Sequence, residues 1–523
     1  MKKKWKLIVV IIGLVVISAC SSLLTEPEVK NLIEKTKVRP NIIMVYVDDL
    51  GFGDIGVNGA KGVETPYIDS LAASGVNFTD AHASSATCTP SRYSLLTGEY
   101  AFRKKGKVLP GDAPSLIEPG KANLASLLKQ EGYATAVIGK WHLGLGDGEL
   151  DWNQKIEPGP NEIGFDYSFL IPATGDRVPT VFVEDGLIVN LSKDDPISVS
   201  YGKPIDGDLP TGRERPDLLK VAADRVHSGA IVDGVSRIGF MKGGKSAEWR
   251  DELFPDVLNE KALSFIRSNK DKPFFLYYSY HDIHVPRLPH PRFKNVSSMG
   301  DRGDAIVQMD WMTGQIMEEL KLQGIEENTI IIFSSDNGPV LNDGYSDQAA
   351  ELLGDHRPGG PFRGAKYSAY EAGARVPLVI SWPGKIEATT SDATVSQVDC
   401  YASITGLLKH DLRNNEAIDS IDFSNTLFAN GMQGREYLFK ESSRTVSLRL
   451  GNYKYIEELD AIPNMSETFK KKNIETGFLD IPQLYDLSKD VAEKNNMASQ
   501  SPDLVDKARN KLELIRARKV RER

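Results

Sequence analysis

Four short apolar runs, each ending in polar residues, restrict this chain more than any other feature. Residues 41–47 (NIIMVYV) run into Asp48-Asp49-Leu50-Gly51, and residues 134–138 run into Gly139-Lys140-Trp141-His142. Residues 273–279 (PFFLYYS) run into His281 and His284, and residues 329–333 (TIIIF) run into Ser334-Ser335-Asp336-Asn337-Gly338. Apolar on both faces, such runs suit buried, mostly parallel strands. Helical periodicity lies between them, as over 122–131 and 309–323. The alternation predicts an α/β layered fold, a large and mostly parallel central sheet flanked by helices. Ligands of open α/β sheets bind beyond the carboxyl ends of the strands. Four such ends carrying Asp, Lys, His and Asn therefore predict one site assembled from distant sequence.

The chain has 523 residues, 41% hydrophobic and 26% charged, an ordinary globular composition with room for one large domain and a smaller one. Its net charge of −9 argues against a nucleic-acid partner. Residues 192–217, rich in Asp, Gly, Pro and Ser, read as a long surface loop at the pocket rim. Past residue 436 the texture changes to short strand-like pieces (446–450, 453–456) and a charged terminal helix. This divides the chain into a catalytic body, 39–435, and a small C-terminal subdomain with an antiparallel sheet, 436–523. The eight Lys and Arg of 507–523 read as a solvated helix face.

The N-terminus reads as a targeting segment. Lys2, Lys3, Lys4 and Lys6 precede an apolar run, 7–17, too short to span a bilayer. Ile17-Ser18-Ala19-Cys20 resembles a bacterial lipobox, which implies a signal peptide over 1–19, lipidation of Cys20 and a polar tether over 20–38. On this reading the protein is an exported, membrane-anchored lipoprotein of the periplasm or cell surface. The chain has three cysteines, Cys20, Cys88 and Cys400. With Cys20 lipidated, Cys400 in its apolar context reads as an inert core thiol, and stability must come from the core.

Cys88 opens the segment C-T-P-S-R-Y-S-L-L-T-G, which reads as a helix start. Thr89 suits the N-cap, Pro90 the first helical position and Gly98 the exit. The helix dipole and Arg92 are expected to put positive charge beside the cysteine. Asp48, Asp49, Asp336 and Asn337 offer only oxygen ligands, the choice of hard cations such as Ca²⁺ or Mg²⁺. Taken singly, the same residues are ordinary strand-end caps and turn formers. Lys140 and His142, two residues apart, would face the same way in extended geometry.

The Cys88 segment resembles the maturation signature of the type I sulfatases of the alkaline phosphatase superfamily. In that family the cysteine is oxidised to Cα-formylglycine by a maturating enzyme. Gly139-Lys140-Trp141-His142-Leu143-Gly144 is similar to a second family motif, and His281-Asp282-Ile283-His284-Val285-Pro286 to the histidine segment. Arg363-Gly364-Ala365-Lys366 with Tyr370-Glu371 and Gly373 resembles the final motif, and Leu484-Tyr485-Asp486-Leu487 the closing segment. The resemblance implies an alkaline-phosphatase-like fold, and a divalent cation held by Asp48, Asp49, Asp336, Asn337 and the converted Cys88. It further implies a sulfate ester bound by Arg92, Lys140 and Lys366. A hydroxyl of hydrated formylglycine attacks sulfur, and His284, helped by Lys366, protonates the leaving alcohol. His142 then deprotonates the second hydroxyl, so that sulfate leaves and the aldehyde returns. Loss of the cation, or Asp336→Ala, is expected to stop turnover while leaving the fold largely intact.

By analogy the substrate is a sulfated carbohydrate, from an algal ulvan or galactan or a glycosaminoglycan. Asp176, Arg177, His227, Arg237, His281, Arg287, His290, His356 and Arg357 are candidates for the leaving-group pocket, since such side chains suit sugar hydroxyls. The alternatives are a phosphonate or phosphate ester hydrolase of the same superfamily, and an inactive glycan-binding relative. The binder is disfavoured because every nucleophile and metal position of the motif is kept.

Overall fold

Residues of β1 (Asn41–Val47) alternate between two cores. Ile42, Met44 and Tyr46 join one apolar cluster, and Ile43, Val45 and Val47 join another. A strand with no polar face needs cover on both sides, and the rest of the fold supplies it. The computed structural model describes residues 39–465 and 467–521. The expected signal peptide, Cys20 and the tether lie outside the described residues.

The strands that follow are β2 (Val76–Phe78), β3 (Ala134–Lys140), β4 (Tyr167–Ile171), β5 (Val183–Glu184) and β6 (Leu187–Ile188). After them come β7 (Phe274–Ser279), β8 (Thr329–Ser335), β9 (Leu378–Ser381) and β10 (Thr389–Ser391). They form one ten-stranded sheet in the order β10-β2-β9-β8-β1-β7-β3-β4-β5-β6. The five central strands from β8 to β4 are parallel, and β9, β5 and β6 pair antiparallel to their inner neighbours. Ile42 lies opposite both Phe275 and Ile330, and Val47 opposite Ser335, so the polar ends of the central strands line up on one edge.

Helices α1 (Pro66–Ala73), α2 (Cys88–Thr97), α3 (Leu124–Gln130), α4 (Phe254–Asn269), α5 (Gly300–Leu322) and α6 (Cys400–Leu408) cover the two faces. Leu95, Leu128 and Ile404, from α2, α3 and α6, pack on the Ile42 side. Ile68, Leu258 and Ile306, from α1, α4 and α5, pack on the Ile43 side. The layered fold is the one the sequence predicts. Helix α5 extends nine residues further toward the N-terminus than its periodic part, 309–323, through a polar stretch with Gly300 and Gly303. Segment 192–217 is not wholly irregular: Ser198–Ser200 pairs antiparallel with Phe240–Lys242.

Near the C-terminus β11 (Tyr437–Glu441), β12 (Val446–Leu450), β13 (Tyr453–Ile456) and β14 (Gln483–Asp486) form an antiparallel sheet in sequential order. Val505, Leu512 and Ile515 of the terminal helix α7 (Pro502–Ala517) pack on it with Phe439 and Leu448. Everything from Asn41 onward forms one compact unit. Two features join the small sheet to loops of the catalytic body. Ala86 donates its N–H to the Glu441 carbonyl at 2.8 Å, and Glu441 donates to Ser84 at 2.9 Å. A buried charge network also spans them: Glu371 meets Lys440 and, at 3.1 Å, Lys454, which meets Glu493 at 2.7 Å. No helix among the described residues is long and apolar enough to cross a membrane.

Candidate active site

The aligned strand ends bring the predicted residues together. Beyond β1, Asp48 lies 3.6 Å from the Cys88 sulfur through Oδ1 and receives the Lys140 ammonium, from the last residue of β3, on Oδ2. Asp49 turns with a φ of 62°, accepting Asn337 Nδ2 at 2.8 Å on one oxygen and Lys366 Nζ at 2.9 Å on the other. Beyond β8, Asp336 accepts the Asp49 N–H at 3.3 Å and Arg92 Nε at 2.9 Å, with Arg92 Nη2 in ion-pair contact at 2.8 Å. Gly139, just ahead of Lys140, permits this spacing. Its φ is 104°, and a Cβ there would sit 1.9 Å from the Ser279 carbonyl oxygen of the neighbouring β7.

Helix α2 begins at Cys88 itself, with Thr87 in the N-cap position, so Pro90 is the third helical residue and not the first. Thr89 instead donates its hydroxyl to the His142 carbonyl at 2.9 Å. Gly98 closes the helix in the left-handed conformation as expected. The electropositive setting expected for the cysteine is overridden. Burial, reinforced by Asp48, pushes the Cys88 thiol up to about 12. As encoded, this side chain is a protonated thiol and not a poised thiolate.

Burial and Asp336 likewise push the Asp48 carboxyl up to about 8 against the pull of Lys140. Asp336 itself is held below the usual carboxylate range: burial works against its charge, but Arg92, Lys140 and Lys366 outweigh it. Each of the three cations in this buried site already has an acidic partner, Arg92 with Asp336, Lys140 with Asp48 and Lys366 with Asp49.

Both histidines next to the cysteine are neutral, driven well below the ordinary imidazole value by burial first and then by nearby cations. His142 has a φ of 56°, so the chain leaves extended geometry right after Lys140, and the two side chains reach the site by different routes. His142 Nε2 meets the Leu109 carbonyl at 2.9 Å and its buried Nδ1 has no partner. His284 Nδ1 meets the Val285 carbonyl at 2.6 Å, leaving Nε2 toward Asp49 at 3.8 Å. Each ring is thus fixed by a carbonyl that takes its N–H, which leaves the other nitrogen bare.

A cavity of about 210 Å³ opens over Cys88, between His142, His284 and Lys366. Of the leaving-group candidates, Asp176, Arg177 and His227 line it. Arg177 meets Asp176 at 2.8 Å, and His227 lies between Asp224 at 2.8 Å and Asp176 at 3.3 Å. Burial opposes charge on His227, but the two carboxylates outweigh it and raise the ring above its ordinary value.

The other candidates lie elsewhere. Arg237 is a buried partner of Asp251 at 2.6 Å, and Arg287 binds Asp347 and three carbonyls. His356 bonds Asp54, itself clamped by Arg302, and Arg357 lines a separate cavity. His290 caps a short turn and faces Asp256. His281 accepts the Gly175 N–H at 2.9 Å and so supports the Asp176 loop from behind. Asp343, Tyr367, Phe469 and Lys472 also line the cavity and were not singled out from sequence. Asp343 lies in an Asn-Asp-Gly turn and Lys472 ends a run of three lysines, both patterns that ordinarily mark solvated surface.

The donor set fits a hard divalent cation. Asp48, Asp49 and Asp336 converge, and the Asn337 Oδ1 is buried with no hydrogen-bond partner, an expensive state that a bound cation would relieve. Atoms of Asp48, Asp49, Cys88 and His284 all lie within 4.8 Å of one another.

The sulfatase family model matches residues 40–410. An N-acetylgalactosamine-6-O-sulfatase of Bacteroides thetaiotaomicron is 46% identical over 521 residues, covering 99% of this chain and all of that protein. Human arylsulfatase A is 30% identical over 498 residues, covering 91% and 88%. A solved Bacteroides thetaiotaomicron structure, described in connection with the metabolism of multiple glycosaminoglycans, superposes with a TM-score of 0.90. It is 48% identical and covers 92% of this chain and all of its own. This chain belongs to the sulfatase family, among the alkaline-phosphatase-superfamily folds, and is a hydrolase.

Proposed function

We propose that this sulfatase removes sulfate from a carbohydrate, a 6-O-sulfated N-acetylhexosamine of the glycosaminoglycan type, using formylglycine made from Cys88. The observation that carries the reading is the convergence on Cys88 of a hard-cation donor set, two neutral histidines and three cations. The sugar class rests on the 46% identical relative. The cavity supports it as well: Arg177, His227 and Lys472 each already face a carboxylate, which suits a leaving group without charge of its own.

Asp48, Asp49, Asp336 and Asn337 would hold Ca²⁺ or Mg²⁺, and such an ion supplies Lewis acidity toward the sulfate oxygens. The chain's own groups do the rest. Lys140 and Lys366 hold positive charge where an anionic ester must lie. Lys366 stays protonated because Asp49 and the surrounding anionic groups outweigh its burial. Burial is the main reason His284 is neutral, with Lys366 and Lys140 adding to it; an anion opposite those lysines offsets their share and favours a proton on the ring for the leaving oxygen. His142, neutral with a bare Nδ1, is equipped to take a proton.

Conversion of Cys88 requires a maturating enzyme, and we assign export and lipid anchoring through Cys20 from the N-terminal pattern. Replacing Cys20 with Ser should move the protein from the membrane to the soluble fraction. The enzymatic test is a parallel assay of sulfate, phosphate and phosphonate monoesters with a panel of defined sulfated sugars. Fastest turnover of the 6-O-sulfated N-acetylhexosamine is expected, and faster turnover of a phosphate or phosphonate would overturn the reading. The peptide containing residue 88 should be about 18 Da lighter than its thiol form. A thiol at full activity would sink the nucleophile assignment.

A further inference from the structure

The cavity wall opposite the strand ends comes from a segment more than a hundred residues away in sequence. Phe469, on a short helix over Glu467–Lys471, and Lys472 enter the cavity from the C-terminal region. The segment is tied down beside the Lys366 loop. Arg363 meets Glu475 at 2.7 Å and the Glu493 carbonyl at 2.6 Å. The Ser368 hydroxyl donates to the Glu475 carbonyl at 2.6 Å, and the Ala369 N–H to the Thr476 carbonyl at 2.8 Å.

Asp343 is the centre of this wall. It accepts Lys366 Nζ at 3.0 Å, the Tyr367 hydroxyl at 3.0 Å and the Lys472 ammonium. The Tyr367 ring lies between the two lysines, each ammonium 5.4 Å from its centroid, and packs edge-on against Phe469. Lys366 is shared between Asp343 and Asp49, whereas among the described residues the Lys472 ammonium pairs with Asp343 alone, and both Lys472 and Asp343 line the cavity. A carboxylate paired with an ammonium presents an acceptor and a donor side by side. A sugar hydroxyl can donate to one and accept from the other, and no net charge is needed.

We infer that Lys472, with Asp343, is a specificity-determining pair that reads a hydroxyl of the leaving sugar, with Phe469 beside it as an apolar platform for the ring. The inference rests on the carbohydrate sulfatase reading above. It separates two ends of one cavity. The strand ends recognise sulfate, and segment 467–476 recognises what the sulfate is attached to.

The test compares the matured wild-type enzyme with Lys472→Gln, Lys472→Arg and Phe469→Ala on two substrates, a 6-O-sulfated N-acetylhexosamine and 4-nitrophenyl sulfate. The aryl ester carries the sulfate but no sugar hydroxyls. Losing one charge-assisted hydrogen bond corresponds to about a tenfold change. For Lys472→Gln the ratio of kcat/KM for sugar over aryl ester should fall at least about tenfold, mainly through a higher KM for the sugar. Lys472→Arg should recover most of that ratio, and Phe469→Ala should raise the KM for the sugar. An unchanged ratio for Lys472→Gln would overturn the inference even if both rates fall, because a general loss of structure affects both substrates alike. A wild-type enzyme active on 4-nitrophenyl sulfate but inert on every sulfated sugar would instead overturn the carbohydrate reading beneath it.

Discussion

Asp336 is gripped by Arg92 through two nitrogens, and both side chains are fully buried. Its neighbour Asn337 donates Nδ2 to Asp49 and leaves Oδ1 without a partner. The two therefore fail differently. Asn337→Ala should cut turnover about a hundredfold at a smaller cost in stability, since it removes the unpartnered Oδ1 and one neutral bond to Asp49, which keeps Lys366 as a partner. Asp336→Ala should stop turnover and also cost about 3–5 kcal/mol of stability, because it strands the Arg92 guanidinium in a dry site. This revises the expectation from sequence that Asp336→Ala spares the fold. Thermal melts beside initial rates separate the two. Sequence motifs showed which residues meet, but not that Arg92 is spent on Asp336 or that burial keeps Cys88 protonated. Those facts depend on which groups share a buried volume, and that is a property of packing.

At the level of elements, β1, β3, β7 and β8 were legible because continuous apolar runs leave few other solutions. Their polar ends then placed Asp48, Lys140, His284 and Asp336 in one site. The substrate side was far less legible. Arg237, Arg287 and His356 carry the right chemistry but are committed to Asp251, Asp347 and Asp54. Lys472 carries a surface pattern yet reaches the cavity. Strand β11 makes a testable case of its own. Burial pushes the carboxyl of its last residue, Glu441, up to about 8 from 4.5. The folded state thus holds a proton that the unfolded chain releases above about pH 4.5. The stabilisation is complete below pH 4.5 and is lost as pH rises toward 8, a swing of order 4–5 kcal/mol at most. Glu441→Gln, which mimics the protonated form, should flatten the fall in melting temperature between pH 5 and 8.

Across the whole molecule, the small C-terminal sheet is part of the catalytic body. The division at 435/436 marks a change of sequence texture, while the structure forms one compact unit from Asn41 onward. Lys440, Lys454 and Glu493 close a buried charge network around Glu371, two residues before the Gly373 carbonyl that receives the Gly338 N–H beside Asn337. A chain ending at residue 435 would leave Glu371 buried without those lysines and strip the apolar cover from Tyr100 and Val398. Such a truncation should yield no soluble, cooperatively melting protein, as gel filtration and calorimetry would show.

The anchoring of segment 467–476 has a practical meaning for change, by selection or by hand. It hangs from side-chain and backbone bonds to residues 363–369, whereas the cation donors grow out of strand ends packed into both cores. Altering Phe469 or Lys472 leaves every strand register in place. Variation can therefore explore new leaving groups on one wall, coupled to the chemistry chiefly through the Asp343 carboxylate that Lys472 shares with Lys366.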